Sequence, residues 1–331
     1  MIYGSKAMDL GIIGIGIVAV IGVPLVLMAY AFGTETLIAR LPDVTSERMR
    51  PWLWLAPALI FIVVFYLYPT IRTLLFSFQN ADSTAFVGLA NYVSIFTDPD
   101  MLSAIGNNVL WLVLFVMGTV MFGIIIAILA DRVSYENVIK SLIFLPMAIS
   151  FVAAGVIWRF MYEYQPLVFE QTGTVNAIIS VLTGDDFEPI PFLQNRSINN
   201  IALIIVGIWM WTGFCMVIFS AALKSIPNDW LEAARIDGAT EWKVLWYIIL
   251  PSIRTTIVVV ATTMTINVLK IFDIVYTMTN GNSDTNVIAL RMYHEMFQFN
   301  HSGRASAIAV LLLVLVIPIM VFNIRNFQAD R

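Results

Sequence analysis

Seven stretches of about 20 or more mainly apolar residues constrain this chain more than any other feature of it. They lie near 8–32, 53–78, 105–130, 139–161, 198–223, 252–276 and 305–325. A helix of that length crosses the roughly 30 Å hydrocarbon of a bilayer, and it satisfies every backbone N–H and C=O within the segment. A soluble chain would need a charged exterior. Only 12% of the 331 residues are Asp, Glu, Lys or Arg, about half the usual share, against 60% apolar. The expected fold is therefore all-α, a polytopic membrane bundle of about seven helices, with an N-terminal helix and linker over 1–52 and a six-helix body over 53–331. Several segments contain proline, glycine or an isolated charge, which neighbouring helices in a bundle can cover.

The bias of Lys and Arg toward the cytoplasmic side of membrane proteins orients the bundle. If 33–52, 131–138, 224–251 and 326–331 face the cytoplasm, with segment ends counted alongside, that side gathers eleven Lys and Arg, from Arg40 to Arg331, against six on the other. The opposite loops carry acids, among them Asp98, Asp100, Asp185, Asp186 and Glu188. This places the N-terminus outside. Lys6, the apolar run after it and Ala29-Tyr30-Ala31 share the grammar of a secretory signal peptide. A cytoplasmic 33–52 is out of reach of signal peptidase, so a retained first helix is expected.

Several function classes are disfavoured. A net charge of −4 with no basic stripe argues against nucleic acid. The single cysteine, Cys215, sits between Phe214 and Met216 and reads as a small buried hydrophobe. His294 and His301, the only histidines, have no further metal ligands in a recognised spacing and read as surface residues without a metal. There is no Gly-x-x-x-x-Gly-Lys-Ser/Thr phosphate loop, so the chain itself is expected to hold no ATP and no cofactor. No Gly-x-Ser-x-Gly nucleophile supports an enzyme.

The informative loop is Pro227-Asn228-Asp229-Trp230-Leu231-Glu232-Ala233-Ala234-Arg235-Ile236-Asp237-Gly238-Ala239-Thr240-Glu241-Trp242-Lys243, ending in Leu250-Pro251. Its grammar is helix, turn, helix. Asp229 is placed to cap the first helix with Glu232 as its capping-box partner. Gly238 supplies the freedom for a sharp turn, and Pro251 stands where the next membrane helix begins. Ala233 and Ala234 permit a partner to approach closely, while Trp230, Leu231, Ile236, Trp242 and Trp246 are too apolar for a plain loop.

Glu232-Ala233-Ala234, a glycine six residues after the glutamate and a closing Leu250-Pro251 resemble the cytoplasmic loop of permease subunits of bacterial binding-protein-dependent ABC importers. Asp237-Gly238-Ala239 resembles the carbohydrate branch. Leu223-Lys224-Ser225-Ile226-Pro227, Phe272-Asp273-Ile274-Val275-Tyr276, Thr279-Asn280-Gly281 and Phe86-Val87-Gly88-Leu89-Ala90-Asn91-Tyr92 extend the likeness to about 53–325. The run from Ser141 to Phe151 and Phe322-Asn323-Ile324-Arg325 are similar to alpha-glucoside permeases and their glucosylglycerol-transporting relatives. The maltose-transporter permease carries a large insert in an outer loop, and no loop here is long enough for one.

The resemblance implies an importer core over 53–331 in the bacterial cytoplasmic membrane. It implies a second, related permease, two copies of a cytoplasmic ATPase that binds the ATP and Mg, an extracytoplasmic solute-binding protein and a sugar as cargo. Glu232, Ala233, Ala234, Asp237, Gly238 and Pro251 then belong to the element that couples the ATPase to the membrane helices. A secondary carrier or a membrane-bound scaffold would also be a helical bundle, but neither requires that loop.

A charge at membrane depth costs about 2.5–3.5 kcal/mol on insertion scales, so polar groups there mark a path or a pair. In the sixth segment Asn267, Lys270 and Asp273, three residues apart, fall on one face of a helix, and Lys270 can neutralise Asp273. In the fifth segment Trp209, Trp211 and Phe214 are aromatic faces suited to sugar rings or to packing. Measured back from Leu223-Lys224, Trp211 and Phe214 fall where the maltose-transporter permease contacts sugar, although that relative has glycine at the place of Trp211. The candidate substrate path is Trp211, Phe214, Asn267, Lys270 and Asp273.

Overall fold

The computed structural model describes residues 3–40, 42–184 and 187–329. Asp185, Asp186 and Arg331 lie outside the described residues, as does the side chain of Lys6. The described chain contains five helices long and apolar enough to cross a bilayer, and two sharply bent helix pairs bring the number to seven. It divides into two compact units, Met1–Arg72 and Thr73–Arg331.

In the first unit α1 (Tyr3–Ile38) and α2 (Asp43–Ile62) form a hairpin. Arg50 pairs with Glu35, and the Tyr30 hydroxyl donates to the Leu53 carbonyl. One π turn at Val63–Leu67 joins α2 to α3 (Tyr68–Phe76), giving a continuous span Thr45–Phe76. None of that span's most apolar window is buried, as suits a helix facing lipid.

In the second unit, α4 (Ala90–Thr97) leads into α5 (Pro99–Ala130). Asp98 caps α5 by accepting the Asp100 N–H at 3.0 Å, with Pro99 in the first turn, where its missing N–H costs nothing. The fourth span is broken: α6 (Glu136–Phe144) ends in a tight turn at Leu145–Ala148, and α7 (Phe151–Met161) leaves at 97°. The Ser150 hydroxyl caps α7 by accepting the Ala153 N–H. Between the fourth and fifth spans lies a short apolar helix α8 (Thr174–Thr183).

The fifth span, α9 (Asn199–Lys224), packs along α5 and is the most buried of the five unbroken spans. Small residues make that contact close. Gly118 and Gly123 of α5 face Ile208 and Cys215, and Gly207 of α9 lies against Trp111 and Phe115. Cys215 is buried as expected. The remainder is α10 (Asn228–Ile236), α11 (Glu241–Val244), a π turn, α12 (Leu250–Ser252), α13 (Arg254–Leu269), α14 (Asp273–Met278), α15 (Ile288–Tyr293) and α16 (Ser302–Ala329).

Polar groups tie together the end of the bundle where α5 begins. Asn107 donates to the carbonyls of Asp284 and Asn286 at 2.8 Å, Asn199 donates to Ser283, and Asn108 accepts the Ile288 N–H at 2.7 Å. These bonds hold a loop in which Asn280, Gly281, Ser283 and Asp284 all have positive φ. Beside it, Asp98 pairs with Arg304 and, at 3.3 Å, with Arg291, while buried Glu295 pairs with Arg291 at 3.0 Å and His301 at 2.9 Å.

Burial would raise the Asp98 carboxyl, but the hydrogen bonds from Arg304 and the Asp100 N–H, with the charges of Arg304 and Arg291, hold it below the ordinary aspartate value. A carboxylate lowered by folding stabilises the fold above its unfolded value of 3.8, and that contribution is lost as pH falls through the lowered one. The stability of purified wild type over Asp98→Asn, followed by tryptophan fluorescence, is expected to be greatest near neutral pH and to vanish in strong acid. A gap independent of pH would show that the carboxylate's charge plays no part.

Candidate functional site

The loop after α9 is a helical hairpin with one face exposed. α10 begins at Asn228 with Pro227 at the cap position, and no side chain caps it. The capping box expected of Asp229 and Glu232 therefore does not form. The proline starts the helix one residue early, and Asp229 falls inside the first turn, where its charge meets the positive end of the helix.

Gly238 turns the chain with φ +79°. Its N–H bonds to the Arg235 carbonyl at 3.0 Å, and the Ala239 N–H reaches back to Ala234 at 2.9 Å. These two bonds are the Schellman closure, which places a left-handed residue just past the helix end. Glu232, Ala233, Asp237 and Gly238 are exposed, and Ala234 is half-buried. Trp230, Ile236, Trp242 and Trp246 are 57%, 86%, 71% and 60% exposed, whereas Leu231 turns inward against the core. Pro251 lies in α12 rather than at the start of the membrane helix, which begins at Arg254 after a 70° bend.

Deeper in the bundle, a cavity of about 90 Å³ is lined by Phe115, Phe151, Trp211, Asn267, Lys270 and Asp273, with Phe272 beside them. Trp211 stacks on Phe151 at 5.9 Å and 28°. Phe214 does not line the cavity; it meets Trp211 edge-on at 5.6 Å and buttresses it. Trp209 packs edge-on against Trp158, away from the cavity.

The single helical face expected of Asn267, Lys270 and Asp273 is not there. α13 stops at Leu269, the Lys270 and Ile271 N–H groups tighten onto the carbonyls of Asn267 and Val268, and α14 starts afresh at Asp273. The break still brings all three to one cavity. Among the described residues no ion pair joins Lys270 to Asp273, so the expected neutralisation is absent. Asn267 donates to the Thr263 carbonyl at 2.9 Å within its own helix.

The histidines divide. His301 is exposed, but His294 is buried, contrary to the surface reading, with a ring nitrogen 3.3 Å from Asn280 Oδ1. Burial and the charge of Arg291 push His294 below the ordinary value. Among the described residues no cluster of His, Cys, Asp and Glu is arranged to hold a metal.

Sequence reasoning missed the aromatic walls Phe115 and Phe151, which lie in other segments and carry no local signal. It also missed the partners of Glu241, which accepts Arg132 at 2.9 Å and Arg235 at 3.0 Å.

Residues 119–329 match the family described as binding-protein-dependent transport system inner membrane component. The osmoprotective compounds uptake permease protein GgtC of Synechocystis sp. is 54% identical over 279 residues, covering 84% of this chain and 99% of the relative. The alpha-glucoside transport system permease protein AglF of Rhizobium meliloti is 46% identical, covering 85% of this chain and 83% of the relative. A chain in the crystal structure of a bacterial ABC transporter involved in alginate import shares the fold, with a TM-score of 0.75 over 88% of this chain and 100% of that one, at 23% identity. With a match over more than half its length and seven candidate spans, this chain belongs to the inner membrane components of binding-protein-dependent transport systems, as a multi-pass ABC importer permease rather than an enzyme.

Proposed function

We propose that the chain, through its core over 53–331, forms one half of the membrane pathway of an importer for a sugar of the glucoside type. The observation that carries this reading is the exposed α10–α11 hairpin, whose glycine closure and uncovered Trp230, Trp242 and Trp246 present a shaped apolar surface at the end of the bundle. A cytoplasmic ATPase, present in two copies and binding ATP and Mg, seats on it at Glu232, Ala233, Ala234, Asp237 and Gly238, with Pro251 closing the loop. The N-terminus then lies outside, as the charge bias suggests. An extracytoplasmic solute-binding protein delivers cargo, and closure of the ATPases drives alternating access.

The glucoside class rests on the names of the two similar permeases, one for osmoprotective compounds and one for alpha-glucosides. The cavity suits it in kind: Trp211 offers an aromatic face, and Asn267, Lys270 and Asp273 offer groups for hydroxyls. At about 90 Å³ it is smaller than the roughly 300–1,000 Å³ of pockets that enclose a small ligand. This supports a site completed by a second, related permease.

Phe214→Ala and Asn267→Ala are expected to cut uptake of a labelled glucoside about tenfold or more, the loss of about 1.4 kcal/mol. The ATPase should still copurify. Unchanged uptake in both would sink the proposed path. A panel of glucosides tested on the associated solute-binding protein identifies the cargo.

A further inference from the structure

We propose that Arg132 and Glu241 are positioning residues that tether the docking loop to the third span, so that α5 receives the movement of the loop directly. The inference rests on the importer reading above.

Glu241 opens α11, and Arg132 lies two residues beyond the end of α5. Arg132 Nη2 stands 2.9 Å from Glu241 Oε2, while Arg235 Nε of α10 stands 3.0 Å from Oε1. One carboxylate therefore fastens three elements: both helices of the hairpin and the end of a membrane span.

The bridge crosses open space. A cleft of about 130 Å³, lined by Ile128, Trp242, Leu245 and Ile249, lies beside the pair. A second, of about 370 Å³ and lined by Asp131, Leu223, Lys224 and Leu231, also borders it. Ile128 of α5 and Trp242 of α11 both face the smaller cleft, and the ion pair spans it from one element to the other. Both side chains are about half exposed. An exposed pair contributes about 0–1 kcal/mol to folding, so its loss leaves the bundle intact and exposes a mechanical role.

What α5 would carry follows from its length. Its 32 residues run unbroken for about 48 Å, with no proline beyond the first turn. Midway, Phe115 lines the cavity. Near its N-terminal end Asn107 and Asn108 hold the loop at 284–288, and the cap residue Asp98 holds Arg291 and Arg304. A displacement at Arg132 thus reaches the cavity and that loop through one rigid rod, whereas the fourth and sixth spans are broken.

The test uses the complete transporter in proteoliposomes, measuring glucoside uptake and ATP hydrolysis together. Arg132→Gln and Glu241→Gln are each expected to lower uptake per ATP by about fivefold or more, within the range of coupling energies between sites, while the ATPase stays bound and active. Cysteines at both positions, joined by a short bifunctional thiol reagent, are expected to restore the ratio. Buried Cys215, the chain's only native cysteine, lies out of the reagent's reach. An unchanged ratio in both glutamine variants, or arrest of uptake by the cross-link, overturns the tether. Absence of ATP-dependent uptake in the wild type would instead overturn the importer reading.

Discussion

Gly238→Asp is expected to abolish uptake while leaving the permease in the membrane at its normal level. Gly238 sits at φ +79°, where an L-residue costs about 1–2 kcal/mol, and aspartate is among the side chains that bear it best. No atom lies within 4 Å of a Cβ built there, so the isolated chain accommodates the change. That open space is where a docking partner would lie. The substitution puts a carboxylate into it and loosens the Schellman closure from Ala239 to Ala234. Copurification of the ATPase should be lost together with uptake, and Glu232→Lys should behave alike. Gly238→Asn, of similar shape and uncharged, separates the effect of charge from that of conformation. Near-normal uptake in both Gly238→Asp and Glu232→Lys would remove the coupling role from this hairpin.

Gly213→Ala should act in the opposite manner, by preventing the bundle from forming. A Cβ at Gly213 would lie 2.4 Å from the Ile143 carbonyl oxygen and 2.7 Å from Phe144 Cα. Both are backbone atoms of α6 and cannot swing aside. Overpacking costs about 1–3 kcal/mol when side chains can yield, and more is expected here. Gly106, on the same kind of helix with nothing within 4 Å, is the control, and alanine there should be neutral or slightly stabilising. Membrane levels and thermal denaturation in detergent distinguish the two variants. Equal stability would mean that α6 and α9 do not meet as described.

The parts of the fold set by local chemistry were legible. Apolar length announced all seven spans, and Gly238, in a loop with no strand grammar, announced the turn. The break in the fourth span also had a signal, Pro146 followed by the capping residue Ser150, which the length of the apolar run obscured. The break at Lys270-Ile271-Phe272 had none, since no glycine or proline lies there. Asn267, Lys270 and Asp273 therefore meet at one cavity across a break, not along the single helical face that their spacing suggests. The stacking of Phe151 on Trp211 joins residues 60 apart and is set by how α7 turns back on α9, which no local pattern records.

The broken fourth span also bears on how the chain is made. Its second half, α7, has 11 residues and reaches about 16 Å, half of what a bilayer demands. The backbone freed at Ile149 and Ser150 can rest at membrane depth only where protein covers it. Part of that cover is Trp211, which packs on Phe151 and belongs to the next span to emerge from the ribosome. The fourth segment thus leaves the insertion machinery incomplete and is finished by the fifth, so biogenesis must keep the two together until α9 has arrived.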